Sequence, residues 1–121
     1  MSHLPAWHWQ PIETWSTGQG VPDVEYCAPS GVSGWIELKR TDGWVVEVRP
    51  HQAAWIERRL RCGGRVHLLV RRKREELWLL PGRAARGLAM RARLSDAECI
   101  CRWEGGPSAW RWDELARLLT E

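Results

Sequence analysis

Apolar and polar residues alternate along the first half of this chain, and they recur at helical spacing in two later stretches. In residues 23–27, Asp23, Glu25 and Cys27 share one face and Val24 and Tyr26 the other, which predicts a strand. Ala28-Pro29-Ser30-Gly31 is a turn. Residues 34–40 predict a second strand, with Trp35, Glu37 and Lys39 pointing one way and Ile36 and Leu38 the other. Asp42-Gly43 is a strong hairpin signal, and residues 44–48 predict a third strand, so the first half reads as an antiparallel meander. Pro50 opens a helix through Cys62, with Ala53, Ile56 and Leu60 as its apolar stripe and Trp55 flanking it. Gly63-Gly64 ends that helix. Residues 65–70 and 75–80 predict two further strands around the charged turn Arg71-Arg72-Lys73-Arg74.

Other stretches are less sharply patterned. Residues 11–15 fit either a short helix with Pro11 in its first turn or an extended lead-in. Residues 82–94 predict a short helix with arginines on one side. Ser95-Asp96-Ala97-Glu98 has the form of a capping box, whereas Cys99-Ile100-Cys101 favours a strand, and the pattern leaves both open. Residues 112–119 predict a last helix with Leu115, Leu118 and Leu119 inward. Strands, helix, strands, helix imply an α/β (α+β) fold. Its mixed β-sheet would have an antiparallel three-strand start flanked by helices. At 121 residues, a single domain over 1–121 is expected.

Composition adds a few constraints. The net charge of +3 is compatible with a nucleic-acid partner without requiring one. Among 18 basic residues only Lys39 and Lys73 are lysines, so a lysine beside Glu37 stands out slightly. Arginine would not readily give up a proton, whereas a buried lysine does. No apolar run is long enough to span a membrane, and the N-terminus shows no secretory pattern, so a cytoplasmic protein is expected. Cys27, Cys62, Cys99 and Cys101 lack metal-site spacing and are expected to be reduced thiols. Ten tryptophans and no phenylalanine place indoles in core positions, with Trp7, Trp9 or Trp110 as candidates for stacking on bases or closing an interface.

The chemistry concentrates in residues 20–39. Pro22-Asp23 lies thirteen residues (24–36) before Glu37-Leu38-Lys39. Two carboxylates supply the hard oxygens that suit Mg²⁺, and a lysine between them and a phosphate can position a water. This PD…ELK pattern resembles the PD-(D/E)xK nuclease superfamily. The ordered set around it looks like the small phage-type VRR-NUC group, which is similar to Holliday-junction resolvases. That set is Glu13, Gly20-Val21-Pro22-Asp23-Val24, Gly34-Trp35-Ile36-Glu37-Leu38-Lys39, Arg49-Pro50-His51-Gln52 and Gly63-Gly64-Arg65-Val66. The resemblance covers a core of about residues 10–82 and leaves about 83–121 as a C-terminal extension. It implies a restriction-endonuclease-like core. It also implies Mg²⁺ or Mn²⁺ on Asp23, Glu37 and the Leu38 carbonyl, assisted by Glu13. Lys39 would act on the water, and Gln52 would hydrogen-bond near the water or phosphate.

The implied function is a metal-dependent endonuclease on DNA, selective for branched forms such as Holliday junctions, in a bacterial host and of phage origin. A two-fold homodimer would set two sites on such a substrate. Arg40, Arg71, Arg72, Lys73 and Arg74 are candidate phosphate contacts, although a run of this kind is commonly a solvated hairpin tip. Glu37 and Lys39 taken alone read rather as a solvated strand pair, and Pro22-Asp23 and Gln52 reverse that reading. His51 reads as a helix-capping residue beside Gln52, and His67 as a core histidine. Two other functions compete: a non-catalytic nucleic-acid-binding module of the same fold, and an interaction subunit using the tryptophan-rich surface.

Overall fold

The computed structural model describes residues 3–12 and 20–121. Six strands form one sheet in sequential order: β1 (His8–Pro11), β2 (Val24–Cys27), β3 (Ser33–Thr41), β4 (Val66–Arg72), β5 (Glu76–Pro81) and β6 (Cys101–Trp103). All neighbours are antiparallel except β3 and β4, which run parallel from Trp35↔Val66 to Thr41↔Arg72. A parallel pair needs a crossover, and helix α1 (Pro50–Arg61) supplies it. Two shorter helices follow, α2 (Ala85–Ala89) and α3 (Trp112–Thr120). The mixed sheet with flanking helices is the α+β architecture expected from the sequence.

Both faces of the central strands are covered, so β4 and β5 read as near-continuous apolar runs. On one face Val66, Leu68, Val70, Trp78 and Leu80 meet Ala53 and Ile56 of α1 and Leu88 of α2. On the other, Ile36, Leu69, Leu77 and Leu79 meet Leu115 and Leu119 of α3, with Trp103 and Trp110 closing the edge. Leu118 packs partly against the same cluster. No helix among the described residues is long and apolar enough to cross a membrane. The four cysteines are free thiols.

The sequence pattern and the fold part company in three places. Residues 44–48 are not a sheet strand and touch another extended segment only through the bridge Val45↔Arg93. The third antiparallel strand is instead β1, which pairs His8–Pro11 with β2. The reason lies in β3, whose one edge is filled by β4 through Thr41. On its other edge the β2 ladder stops at Ile36 and the side chain of Asp23 takes over. A strand folding back at Asp42-Gly43 would find only the far half of that edge, and Val46 and Val48 go into the core under α1 instead.

Secondly, the helix expected over residues 82–94 shrinks to a 3₁₀ turn (Gly82–Ala84) and α2, which ends before Arg91 at φ 67°. Gly87 in its middle weakens helix formation. Thirdly, Ser95 and Asp96 lie in a second 3₁₀ turn (Leu94–Asp96), and the strand that follows starts at Cys101.

Tyr26 ties the second face together. Its hydroxyl donates to the Leu119 carbonyl at 2.7 Å, and a Cβ on Gly34 would lie 2.6 Å from that hydroxyl oxygen. Tyr26→Phe should therefore lower stability by about 1 kcal/mol through the lost buried hydrogen bond. Gly34→Ala should cost more, roughly 2–3 kcal/mol, by overpacking against the ring. Urea unfolding of the two variants, read as a shift in midpoint at unchanged slope, measures both.

Candidate functional site

Four segments converge on the open edge of β3. The first is the turn that precedes β2. Gly20 adopts φ 90°, and a Cβ there would stand 2.5 Å from the His51 carbonyl oxygen. Only glycine lets this turn lie against the first turn of α1. The Asp23 carbonyl accepts the Ile12 amide at 2.8 Å, which fixes the backbone where β1 ends and β2 begins. The Asp23 carboxylate then crosses to β3, where Oδ2 accepts the Leu38 amide at 2.9 Å. In a strand the N–H and C=O of one residue leave on the same side, so the Leu38 carbonyl also faces the Asp23 edge.

Strand alternation puts Glu37 and Lys39 on the α1 face. Glu37 is 1% exposed, and its Oε2 is buried with no hydrogen-bond partner among the described residues. Burial, and then the hydrogen bond and charge of Asp23, raise the Glu37 carboxyl to about 9, with Lys39 pulling the other way. Lys39 is half-buried, and Nζ donates to Gln52 Oε1 at 3.0 Å. The same Oε1 accepts the Arg49 amide at 2.9 Å. Gln52 is thus both the cap of α1 and the anchor of Lys39, so the first turn of the helix and the lysine are held by the same oxygen. That double use of one oxygen is not visible in the sequence, where His51 reads as the capping residue and Gln52 as a group near the water or phosphate. His51 takes no part in the cap through its side chain. His67 is buried, and burial followed by the charge of Arg65 lowers it to about 4.

The site therefore brings together Asp23, Glu37, Leu38, Lys39 and Gln52. Glu13 lies outside the described residues. Among the described residues no three of His, Cys, Asp and Glu cluster as a metal site, so the donors present are two carboxylates and the Leu38 carbonyl. A divalent ion fits them on one observation. A buried carboxylate oxygen without a hydrogen-bond donor is costly unless it is protonated or meets a cation. Its hard oxygens match Mg²⁺ or Mn²⁺.

The basic residues are placed differently. Arg40 and Arg71 are Cα partners on the face opposite Glu37 and Lys39. Arg71 lies over the Trp110 ring at 5.3 Å and donates to the Arg74 carbonyl, while its Nε is buried and unpartnered. Arg72 is buried and committed: it donates to Gly43 O at 2.8 Å and to Glu76 at 2.6 Å, and lies over Trp44 at 3.7 Å. Lys73 and Arg74 are exposed at the hairpin tip, beside the C-terminal end of β3, where the Lys73 amide reaches Thr41 O at 2.8 Å.

The fold is that of a Holliday junction resolvase. One similar structure is Hjc, a Holliday junction resolvase from the hyperthermophilic archaeon Archaeoglobus fulgidus, with a TM-score of 0.55, 9% identity, and 94% of this chain and 88% of that chain covered. At that identity the likeness is one of fold. No protein-family model and no curated protein matches the sequence.

Glu37 makes stability depend on pH in a particular direction. Its folded value of about 9 lies above the ordinary 4.5, so between those values the folded chain holds a proton that the unfolded chain has lost. The metal-free protein should be most stable below the lower value and lose stability as pH rises toward the upper one. Glu37→Gln should flatten this dependence and raise metal-free stability at pH near 8 by roughly 1–3 kcal/mol. Added Mn²⁺ should raise the Tm of the wild type more at high pH than at low, and leave the variant unmoved. Thermal melts across pH, with EDTA or Mn²⁺, check all three.

Proposed function

We propose that this chain is a divalent-metal-dependent endonuclease acting on branched DNA. The observation that carries the reading is the buried, unpartnered carboxylate oxygen of Glu37, set beside Asp23 and a lysine held by Gln52. The fold shared with a Holliday junction resolvase supports it, as does the PD…ELK resemblance.

In this reading Asp23, Glu37 and the Leu38 carbonyl hold Mg²⁺ or Mn²⁺, with Glu13 as a further acid. The ion, when bound, supplies charge to the phosphate and the leaving oxygen and eases loss of a proton from water. Lys39 has three ammonium donors, and the bond to Gln52 uses one. The remaining donors orient the attacking water and meet the negative charge that builds on the phosphate. A bond forms from the water oxygen to phosphorus and the P–O3′ bond breaks, leaving a 5′-phosphate and a 3′-hydroxyl. Burial of Glu37 keeps bulk water from competing for its oxygens. Arg40, Lys73 and Arg74 reach phosphates beside the cut and read no base. Arg71 and Arg72 serve by shaping the hairpin tip. A single small domain offers one such edge, so a homodimer presents the pair of sites that two opposed cuts at a junction require.

Cleavage of a labelled four-way junction and a matched linear duplex tests this. With Mg²⁺ or Mn²⁺ the wild type should cut the junction at paired positions, and EDTA should stop it. Lys39→Ala and Glu37→Gln should each lose activity by about 10²–10³-fold while still binding DNA. Gln52→Ala should lose about 10-fold, because the lysine keeps its charge and loses its aim. Salt-sensitive binding by folded protein with no metal-dependent cutting would replace this reading with a non-catalytic DNA-binding module.

A further inference from the structure

The candidate site leaves the other end of the parallel pair unused. A cavity of about 850 Å³ opens there, where β3 and β4 begin and α1 ends, and its polar wall consists of Glu25, Arg59, Arg65, His67 and Arg83 with Trp35 beside them. Three arginines against one carboxylate make the wall net positive. Among the described residues no acidic side chain lies within ion-pair distance of Arg59 or Arg65. Arg59 is held by its faces instead, over Trp35 at 5.3 Å and Trp55 at 4.7 Å. That leaves its N–H edges available. Arg65 donates to the Glu121 carbonyl, and Arg83 pairs with Glu98. His67 is 8% exposed and its Nδ1 has no hydrogen bond. Held neutral by burial, it offers the cavity polarity without charge.

The chemistry of these walls is selective. Guanidinium edges match phosphate oxygens. Trp35, Val66 and Pro81 add apolar surface that a bare phosphate leaves bare. Glu25 repels a second anion but accepts hydrogen bonds from hydroxyl or amino groups. A ligand that meets all three has a phosphate, a flat ring and hydrogen-bond donors. We propose that this cavity is a nucleotide-binding site, with the phosphate on Arg59 and Arg65, the base against the apolar wall, and Glu25 taking sugar or base donors. The nucleotide is either a free mononucleotide or the terminal nucleotide of an unpaired DNA strand. Gly34 at the rim precedes Glu37 by three residues, about 10 Å along a strand, so a strand end seated here would lie close to the carboxylates. The site itself does not rest on the nuclease reading.

The test uses ¹⁵N-labelled full chain in EDTA, so that neither metal nor cleavage enters and failure of the nuclease reading leaves it untouched. Titrants are dAMP, inorganic phosphate, a blunt duplex, and a duplex with an unpaired 5′-phosphorylated end. Saturable shifts of the Gly34, Gly63, Gly64, Arg65 and His67 amides by dAMP are expected, with inorganic phosphate at least about 10-fold weaker. Arg59→Ala, and separately Arg65→Ala, should weaken dAMP by about 5–10-fold. Matching shifts from the tailed but not the blunt duplex identify a strand end as the occupant, and shifts from dAMP alone identify the free nucleotide. Equal binding of inorganic phosphate, shifts centred on Asp23, Leu38 and Lys39, or no saturable shift would overturn the proposal.

Discussion

A carboxyl group buried as deeply as that of Glu37 is tolerated only if it keeps its proton or meets positive charge, and the surrounding structure is arranged around that condition. Asp23 is brought next to it by a turn that needs glycine at position 20, and Asp23 pushes Glu37 toward its protonated form. Lys39 pulls the other way, but its ammonium is held toward Gln52. The metal-free site is therefore poised: neither partner settles the charge of Glu37, and a cation entering from the β3 edge would. A purely structural strand pair has no reason to carry this frustration, since replacing Glu37 with an apolar residue would relieve it.

The same condition explains why the sheet is open here. An edge strand usually exposes a row of amides and carbonyls. β3 is central in the sheet, yet the β2 ladder ends at Ile36 and leaves the far half of that edge unpaired by backbone. Asp23 caps the first exposed amide. The extended segment 44–48 does not seal the rest, because Val46 and Val48 anchor it beneath α1. The edge is kept free by packing elsewhere. Likewise, α3 gives Ile36 and Leu69 their cover on the opposite face, so the strand that carries Glu37 is clamped by residues some eighty positions later.

Much of this was legible in the sequence, for physical reasons. Period-two alternation located β2 and β3 and put Glu37 and Lys39 on one face, because a half-buried strand must alternate. Pro50 and the Ala53–Ile56 stripe located α1, because its one apolar face has to meet the sheet. The PD…ELK spacing marked the residues that the fold brings together. What the sequence did not carry was competition for edges. Residues 44–48 have every local property of a strand, and no local property reports that β4 already occupies the partner edge. His8–Pro11, with a proline and one tryptophan, reads poorly as a strand and becomes one because β2 has an edge to fill. The role of Gln52 depended on an oxygen shared between Arg49 and Lys39, a contact across thirteen residues.

Charge was also less informative than composition suggested. The chain is arginine-rich, but most of its guanidiniums are spent within the fold. Arg59, Arg71, Arg72, Arg93 and Arg102 lie over indole rings. Arg83, Arg86, Arg111 and Arg117 pair with acids. The abundance of tryptophan and the abundance of arginine are thus one fact, because a planar cation is what the exposed face of a half-buried indole accommodates. Among the described residues this leaves the cations without a ring or an acidic side chain in few places, chiefly Arg40, Lys73 and Arg74 near the far end of β3, Arg58 and Arg61 on α1, and Arg91 after α2. A DNA strand following the first group would pass the β3 edge. Of the guanidiniums fixed on tryptophan by their faces, Arg59 keeps its N–H edges presented, whereas Arg72 and Arg102 spend theirs on Glu76 and Glu104, so stacking alone does not make a basic residue available to a partner.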